Sequence, residues 1–395
     1  MTPLRPLPLT LALYAVLGTT AHAQSLVELY ESARAYDATW QSAKAQYDAN
    51  LFRAEQARAG LLPTAGLSAG VARTNLEVKS PPSERDYTTQ NATLSAAQPL
   101  YRPANAATYE QSRRQIELSQ AQLGTATQDL IIRVSQAYFD VLAAQDTLAF
   151  VRAQKTAVSE QLASAKRNFE VGTSTITDSR EAQARYDLVV AQEIAAENDL
   201  RVKKLALDNL VGKANAEPRP LATPVVLPVL PADGVDTWVQ QADLASPTLQ
   251  QFRSALDIAR LETEKAKAGH KPTLDLTASY ANARAPSATT GLPARTHNTT
   301  VGLSFNLPLF AGFATQNRIR ETLSLEEKAQ SDLEAARRTV AQATRSAYFG
   351  VVSGQGQVKA LEASEQSSQL ALDANKLGYQ VGVRINIDVL NAQSQ

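Results

Sequence analysis

Cysteine is absent from the 395 residues, which excludes a disulfide framework and structural zinc–thiolate sites. It also removes the thiol that an N-terminal lipid anchor would need. Net charge is absent too: 39 basic residues balance 39 acidic ones, so no basic surface asks for nucleic acid. Histidine is scarce. Of the three, His22 lies in a leader segment, while His270 and His297 each stand alone near strand or loop ends. No metal cluster and no cofactor site can be built from them. A long apolar run is missing as well. Residues 7–20 are the longest such stretch, well short of the ~20 that a spanning helix needs. With Arg5 ahead of it and Ala21-His22-Ala23 behind, it reads as an export signal over residues 1–23, cleaved before Gln24.

Glycine and proline are missing from long tracts, and this marks helices. Residues 25–58 contain neither and read as one continuous helix. Residues 104–171 contain no proline and only Gly124 among glycines, so that helix would be about 100 Å long at 1.5 Å per residue. No ordinary globular domain holds such a helix. Within it Val134, Tyr138, Val141, Leu148, Val151, Val158, Leu162 and Phe169 fall at spacings of 4, 3, 7, 3, 7, 4 and 7. That heptad seam predicts supercoiled packing against other helices. Residues 179–211 read as a further helix ending at Gly212. A connector over residues 214–235 follows, with Pro218, Pro220, Pro224, Pro228 and Pro231, and it can be neither helix nor central strand. A helix over residues 248–267 comes next. Residues 313–381 then form another proline-free run, interrupted only by Gly350, Gly354, Gly356 and Gly378.

Between the helices the period drops to two. In residues 61–78, Leu67, Ala69 and Val71 alternate with Ser68, Gly70 and Ala72. A loop at residues 80–83 leads to a second strand over residues 87–100, closed by Pro99 and Pro103. Later, Leu274, Leu276, Ala278 and Tyr280 oppose Asp275, Thr277 and Ser279. After a loop over residues 286–297, Val301, Leu303, Phe305 and Leu307 oppose Thr300, Gly302, Ser304 and Asn306. One apolar and one small or polar face suit a barrel wall between lipid and water. They also suit a soluble β-domain with one solvated face. Four strands cannot close a barrel, and open edges in lipid leave backbone groups that each cost several kcal/mol. Several chains must then pool their strands.

The chain is written twice. FEVGTSTITDSREAQ at residues 169–183 returns as YQVGVRINIDVLNAQ at residues 379–393, an offset of 210. Further landmarks keep that offset to within one residue: A-G-x-x-P-T from Ala59 and from Ala268, P-L-[YF] from Pro99 and from Pro308, and A-Y-F from Ala137 and from Ala347. The domains follow from this: residues 24–213 as repeat 1 and residues 236–395 as repeat 2, joined by the proline-rich connector. By the first copy's measure the second lacks its last helix. Each V-G-x5-D stretch reads as a sharp helix–loop–helix corner. Gly172 and Gly382 end a helix in the left-handed conformation. Asp178 and Asp388 sit where an N-cap belongs, and Glu181 follows Asp178 in the manner of a capping box.

On these features the chain resembles the TolC family of outer-membrane efflux proteins along nearly its whole mature length. They are the export signal, helix–two strands–helix twice, A-G-x-x-P-T before each hairpin, Q-P-L-Y and L-P-L-F after it, two A-Y-F helices and two V-G-x5-D corners. The resemblance implies an α+β membrane protein and a homotrimer. Four transmembrane strands per chain would contribute to one β-barrel held in outer-membrane lipid. Long antiparallel coiled-coil helices would form an α-barrel across the periplasm. It implies an exit duct, without catalysis or cofactor, for drugs or unfolded secreted proteins. The duct would dock through a periplasmic adaptor on an inner-membrane ABC or proton-driven transporter.

The resemblance also implies a gate at the corners. Thr177 and Asp178 match the family's loop partners, Tyr379 and Arg384 match the residues that tie to them, and Asp388 matches its first entrance aspartate. The second entrance aspartate would fall on Asn391, a departure that weakens strong cation trapping. Helix capping alone also accounts for Asp178 and Asp388. Other chemistry is thin. Gly66-Leu67-Ser68-Ala69-Gly70 matches G-x-S-x-G, but that motif needs a strand-to-helix turn, and here it sits inside an alternating strand. Two rivals remain: a periplasmic coiled-coil adaptor or scaffold without a pore, and a soluble periplasmic enzyme. The first would carry one hairpin, not two copies of a helix–hairpin plan, and the second needs a polar constellation that is missing.

Overall fold

The computed structural model describes residues 23–80, 82–222, 225–227, 230, 234–286 and 292–395. The expected export signal, save Ala23, and parts of the connector and of the second hairpin loop lie outside them. Eight α-helices and four strands are present among the described residues. They divide into two compact units.

One unit holds the four strands: β1 Thr64–Lys79, β2 Pro82–Tyr101, β3 Thr273–Pro286 and β4 Pro293–Asn306. They form one antiparallel sheet in the order β1-β2-β3-β4, so β1 and β4 are its edges. The alternation now has a physical meaning. Leu67 opposes Leu94, which opposes Tyr280, and Ala278 opposes Val301. These side chains share one face of the sheet, and they are exposed: Leu67 by 76%, Val301 by 71% and Phe305 by 64%. The other face carries Ser68, Thr93, Ser95, Thr277, Ser279 and Thr300.

β2, β3 and β4 run further towards their hairpin tips than the sequence reading expected, while β1 begins at Thr64 and not at residue 61. Lys79 pairs with Pro82 and Pro286 with Pro293, so the expected loops at residues 80–83 and 286–297 shrink to the tips of two hairpins. Proline, serine, threonine and glycine made the ends of these strands look like loop. Cross-strand pairing settles them: Arg73 Nε donates to Asp86 at 3.0 Å. Pro99 does not close β2 but sits at a register shift before Tyr101, where a missing N–H is tolerated. Pro103 opens the next helix, α3 Pro103–Glu170, as proline at a first helical position does.

The same unit contains α2 Ala38–Ala59 and α6 Pro247–Lys267, the sheet-proximal part of α3, and that of α7 Ala314–Gln380. Gly124 of α3 lies so close to Pro247 that a Cβ there would meet it at 3.2 Å. The Trp40 indole N–H donates to Thr127 Oγ1 at 3.0 Å. Glu262 of α6 accepts from Arg318 of α7 at 2.7 Å and from Gln111 of α3 at 3.0 Å. A helix absent from the sequence reading, α5 Gly234–Ala245, precedes α6 and begins inside the expected connector. Pro247 stands at the start of α6 and separates the two.

The other unit contains α1 Leu26–Tyr36, α4 Ile176–Val211, α8 Asn386–Ser394 and the remaining parts of α3 and α7. The expected single helix over residues 25–58 is broken at Asp37, whose backbone is extended at φ −62°, ψ 115°. The cause is tertiary. Asp37 is buried and accepts from Arg133 of α3 at 2.9 and 3.2 Å. Of the eight seam positions in α3, seven are buried, from Val134 at 0% to Leu162 at 8%, and Phe169 is 43% exposed. Val151 and Val158 pack with Val189 of α4 and Leu390 of α8. Gly350, Gly354 and Gly356 do not interrupt α7. None of the described helices is long and apolar enough to cross a membrane.

Candidate functional site: the two helical corners

Both corners close with the same backbone pattern. At the first, Gly172 has φ +77° and its N–H bonds to Phe169 O at 3.0 Å, while Thr173 N–H bonds to Asn168 O at 2.8 Å. At the second, Gly382 has φ +79°, its N–H bonds to Tyr379 O at 3.1 Å, and Val383 N–H bonds to Gly378 O at 2.9 Å. This is the Schellman closure, in which a left-handed residue lets two N–H groups turn back to the last turn's carbonyls. Glycine is the residue that takes that conformation without a Cβ clash.

The helix starts differ from the sequence reading. The N-cap of α4 is Thr175, not Asp178. Thr175 Oγ1 accepts the Asp178 N–H at 3.2 Å, and the Asp178 carboxylate accepts the Thr175 N–H at 3.0 Å. Asp178 is thus the third helical residue of a capping box, and Glu181 has no part in it. In the second corner Ile385 is the N-cap, with no side-chain cap. Asp388 occupies the first turn, where its charge complements the helix dipole. The reason is geometric: the residue that keeps an extended backbone becomes the cap, and in the first corner the acid three residues later reaches back to it.

Asp178 is partly buried, which opposes ionisation and is the largest single influence on it. Hydrogen bonds from the Ser174 hydroxyl and from the Thr175 N–H and hydroxyl together outweigh burial, so the carboxyl is held below the usual carboxylate value. Ser174 Oγ donates to it at 2.8 Å.

Of the other expected gate residues, Tyr379 accepts at its hydroxyl from Asn168 Nδ2 of α3 at 3.4 Å. Arg384 Nη1 lies 3.8 Å from Asp388 Oδ2, within its own corner. Thr177 is exposed. Within the chain, therefore, Tyr379 is tied to the first corner's helix, while Arg384 and Asp178 are bonded to separate partners. Arg384 also passes tightly over Gly378, where a Cβ would meet its Cγ at 2.7 Å.

Sequence reasoning missed three polar contacts here. Gln161 donates to the buried Asn386, Arg185 Nη2 donates to Asn391 Oδ1 at 2.9 Å, and Asn168 holds Tyr379. All join residues more than 200 positions apart, beyond the reach of spacing rules. Ser68, the centre of the G-x-S-x-G match, points its hydroxyl to Thr93 O on the neighbouring strand.

Comparison with known proteins places this architecture. The model of the family described as outer membrane efflux protein matches residues 29–213 and 238–395. The chain is 32% identical to the outer membrane protein TolC of Vibrio cholerae over 394 residues, covering 99% of this chain and 89% of that protein. It is 32% identical to the alkaline protease secretion protein AprF of Pseudomonas aeruginosa over 391 residues, covering 97% and 81%. Among solved structures, CusC superimposes with a TM-score of 0.82 at 17% identity, covering 100% of this chain and 91% of that one. With the family model matching most of its length, the chain belongs to the outer membrane efflux protein family.

Proposed function

We propose that this chain is the exit duct of a tripartite efflux pump or a type I secretion system, seated in the outer membrane and extending into the periplasm. The observation that carries the reading is the sheet. One face holds exposed Leu67, Val71, Leu94, Val301, Leu303 and Phe305, and the other holds hydroxyls and small side chains. Such a sheet suits lipid on one side and water on the other. Its two unpaired edges cannot face hydrocarbon, which favours a homotrimer whose pooled strands close one barrel. The long helices of α3, α4 and α7 would then pool into the periplasmic tube, with residues 24–213 and 236–395 acting as two copies of one structural unit.

In this reading the two corners line the entrance, where Thr177, Asp178, Tyr379, Arg384 and Asp388 restrict passage and Gly172 and Gly382 shape the turns. A periplasmic adaptor would dock there and couple the duct to an inner-membrane ABC or proton-driven transporter. The cargo is small molecules or unfolded protein, and nothing in the site calls for catalysis. Conductance across a planar bilayer, together with fractionation, tests the reading. A duct gives a pore and pellets with outer membranes as a heat-sensitive oligomer. A soluble monomer without conductance favours a periplasmic adaptor.

A further inference from the structure

At the hairpin end of the sheet, Arg284 of β3 and Arg295 of β4 stand directly opposite one another. Arg284 in turn opposes Gln90, which opposes Val71. That row lies on the same face as Leu94, Tyr280, Val301 and Leu303, because residues two apart on a strand share a face. Both arginines are exposed. Like charges set directly opposite are destabilising, and among the described residues no carboxylate pairs with either. Nor can the tip of this hairpin supply one, since residues 282–298 contain no aspartate or glutamate. Arg73, on the same face, differs: Asp86 already holds it. Next to the arginines, His297 Nδ1 and the Tyr280 hydroxyl lie 3.0 Å apart, an amphipathic pair of the sort found where hydrocarbon meets headgroups. An open cleft of about 490 Å³ covers Val71, Gln90, Asn282, Arg284 and Arg295.

The spacing fits a membrane. Phe305 lies ten residues along β4 from Arg295, about 34 Å of strand. At a tilt of about 40° that is roughly the ~25 Å height of a barrel's apolar band. The arginine pair therefore falls where the band ends. We infer that Arg284 and Arg295 form a binding site for the phosphate of an anionic lipid headgroup, resting on the reading of this face as lipid-facing. Two guanidinium groups match phosphate oxygens in a bidentate manner, and a bound phosphate relieves the repulsion between them. Gln90 and Asn282 flank the same cleft and can donate to the remaining oxygens.

The test is native mass spectrometry of the detergent-purified full chain, titrated with bisphosphorylated lipid A, dephosphorylated lipid A, phosphatidylcholine and inorganic phosphate. Bisphosphorylated lipid A is expected to bind in preference to its dephosphorylated form. Arg284→Gln with Arg295→Gln is expected to weaken that binding about tenfold, and Arg73→Gln to leave it unchanged. Equal binding of the two lipid A forms by the unaltered chain overturns the proposal without relying on any variant. Displacement of lipid A by equimolar inorganic phosphate also overturns it, since the site would then serve a free anion. Reconstitution in vesicles separates this from the underlying reading. A protein that inserts and conducts but shows no headgroup preference loses only the lipid site, whereas one that does not insert loses the lipid-facing wall.

Discussion

Thr175 and Asp178 cap one another: the threonine hydroxyl accepts the aspartate's N–H at 3.2 Å, and the aspartate carboxylate accepts the threonine's N–H at 3.0 Å. This reciprocal pair starts α4 immediately after the left-handed turn at Gly172. Its carboxylate is ionised more readily than usual because the hydrogen bonds to it outweigh its partial burial. A group with a depressed folded pKa contributes stability above its unfolded pKa, about 3.9 for aspartate. That contribution is lost as pH falls through the lower folded value. Hydrogen exchange at the first corner is therefore expected to stay protected from neutral pH down to the low-pH edge of the carboxylate range and to rise below it. Asp178→Ala is expected to raise exchange from neutral pH down to the carboxylate range, corresponding to about 1 kcal/mol, and to match the unaltered chain below it. An exchange profile in the variant that still steps up at low pH would assign the step to another group.

The proposed entrance gate is testable by conductance. Tyr379 holds Asn168, and Arg384 faces Asp388. Each exposed link is worth about 0–1 kcal/mol, but threefold repetition would sum to enough to hold an entrance mostly closed. Tyr379→Phe combined with Arg384→Glu is expected to raise conductance in planar bilayers while leaving the oligomer's heat resistance unchanged. Asp388→Ala is expected to lower cation preference and block by divalent ions. Unchanged conductance in the double variant would make these residues ordinary corner-packing groups.

Three glycines with positive φ separate backbone strain from crowding. Gly172, Gly382 and Gly212 have φ of +77°, +79° and +69°. Added Cβ atoms at the first two meet nothing within 4 Å, whereas one at Gly212 would strike the Tyr36 ring. Gly172→Ala and Gly382→Ala are each expected to cost about 1–2 kcal/mol from the left-handed backbone alone. Gly212→Ala is expected to cost distinctly more, and pairing it with Tyr36→Ala should recover part of the loss. Thermal melts of the four variants check this. Equal losses at Gly212 and Gly172 would remove the ring contact from the explanation.

The break between α1 and α2 gives a fourth expectation. Asp37 is buried against Arg133, with contacts at 2.9 and 3.2 Å. Asp37→Ala leaves a half-buried guanidinium without its bidentate acceptor and is expected to destabilise by about 2 kcal/mol. Arg133→Lys, which keeps charge but not the fork, is expected to fall between the wild type and that variant. Denaturant melts read both. A neutral Asp37→Ala would mean that backbone propensity alone breaks the helix.

Much of this protein was legible in one dimension because its signals are local and periodic. The seam from Val134 to Leu162, the alternation of Leu67 and Val71 against Ser68 and Gly70, and the turns at Gly172 and Gly382 each follow from a period or from the conformational freedom of one residue type. What the sequence could not decide were choices among local equals. Residues 173–178 offer Thr173, Ser174, Thr175, Thr177 and Asp178 as caps, and only the backbone path selects Thr175. Asp37 sits in a stretch free of glycine and proline, yet the helix breaks there because Arg133, distant in sequence, draws its carboxylate into a buried pair. The polar residues near Lys79 and Pro82 look like loop until the facing strand supplies their partners. Period and local composition are properties of neighbours along the chain. Cap choice, helix breaks, strand ends and the opposed pair Arg284 and Arg295 depend on which distant groups meet, and only the tertiary structure decides that.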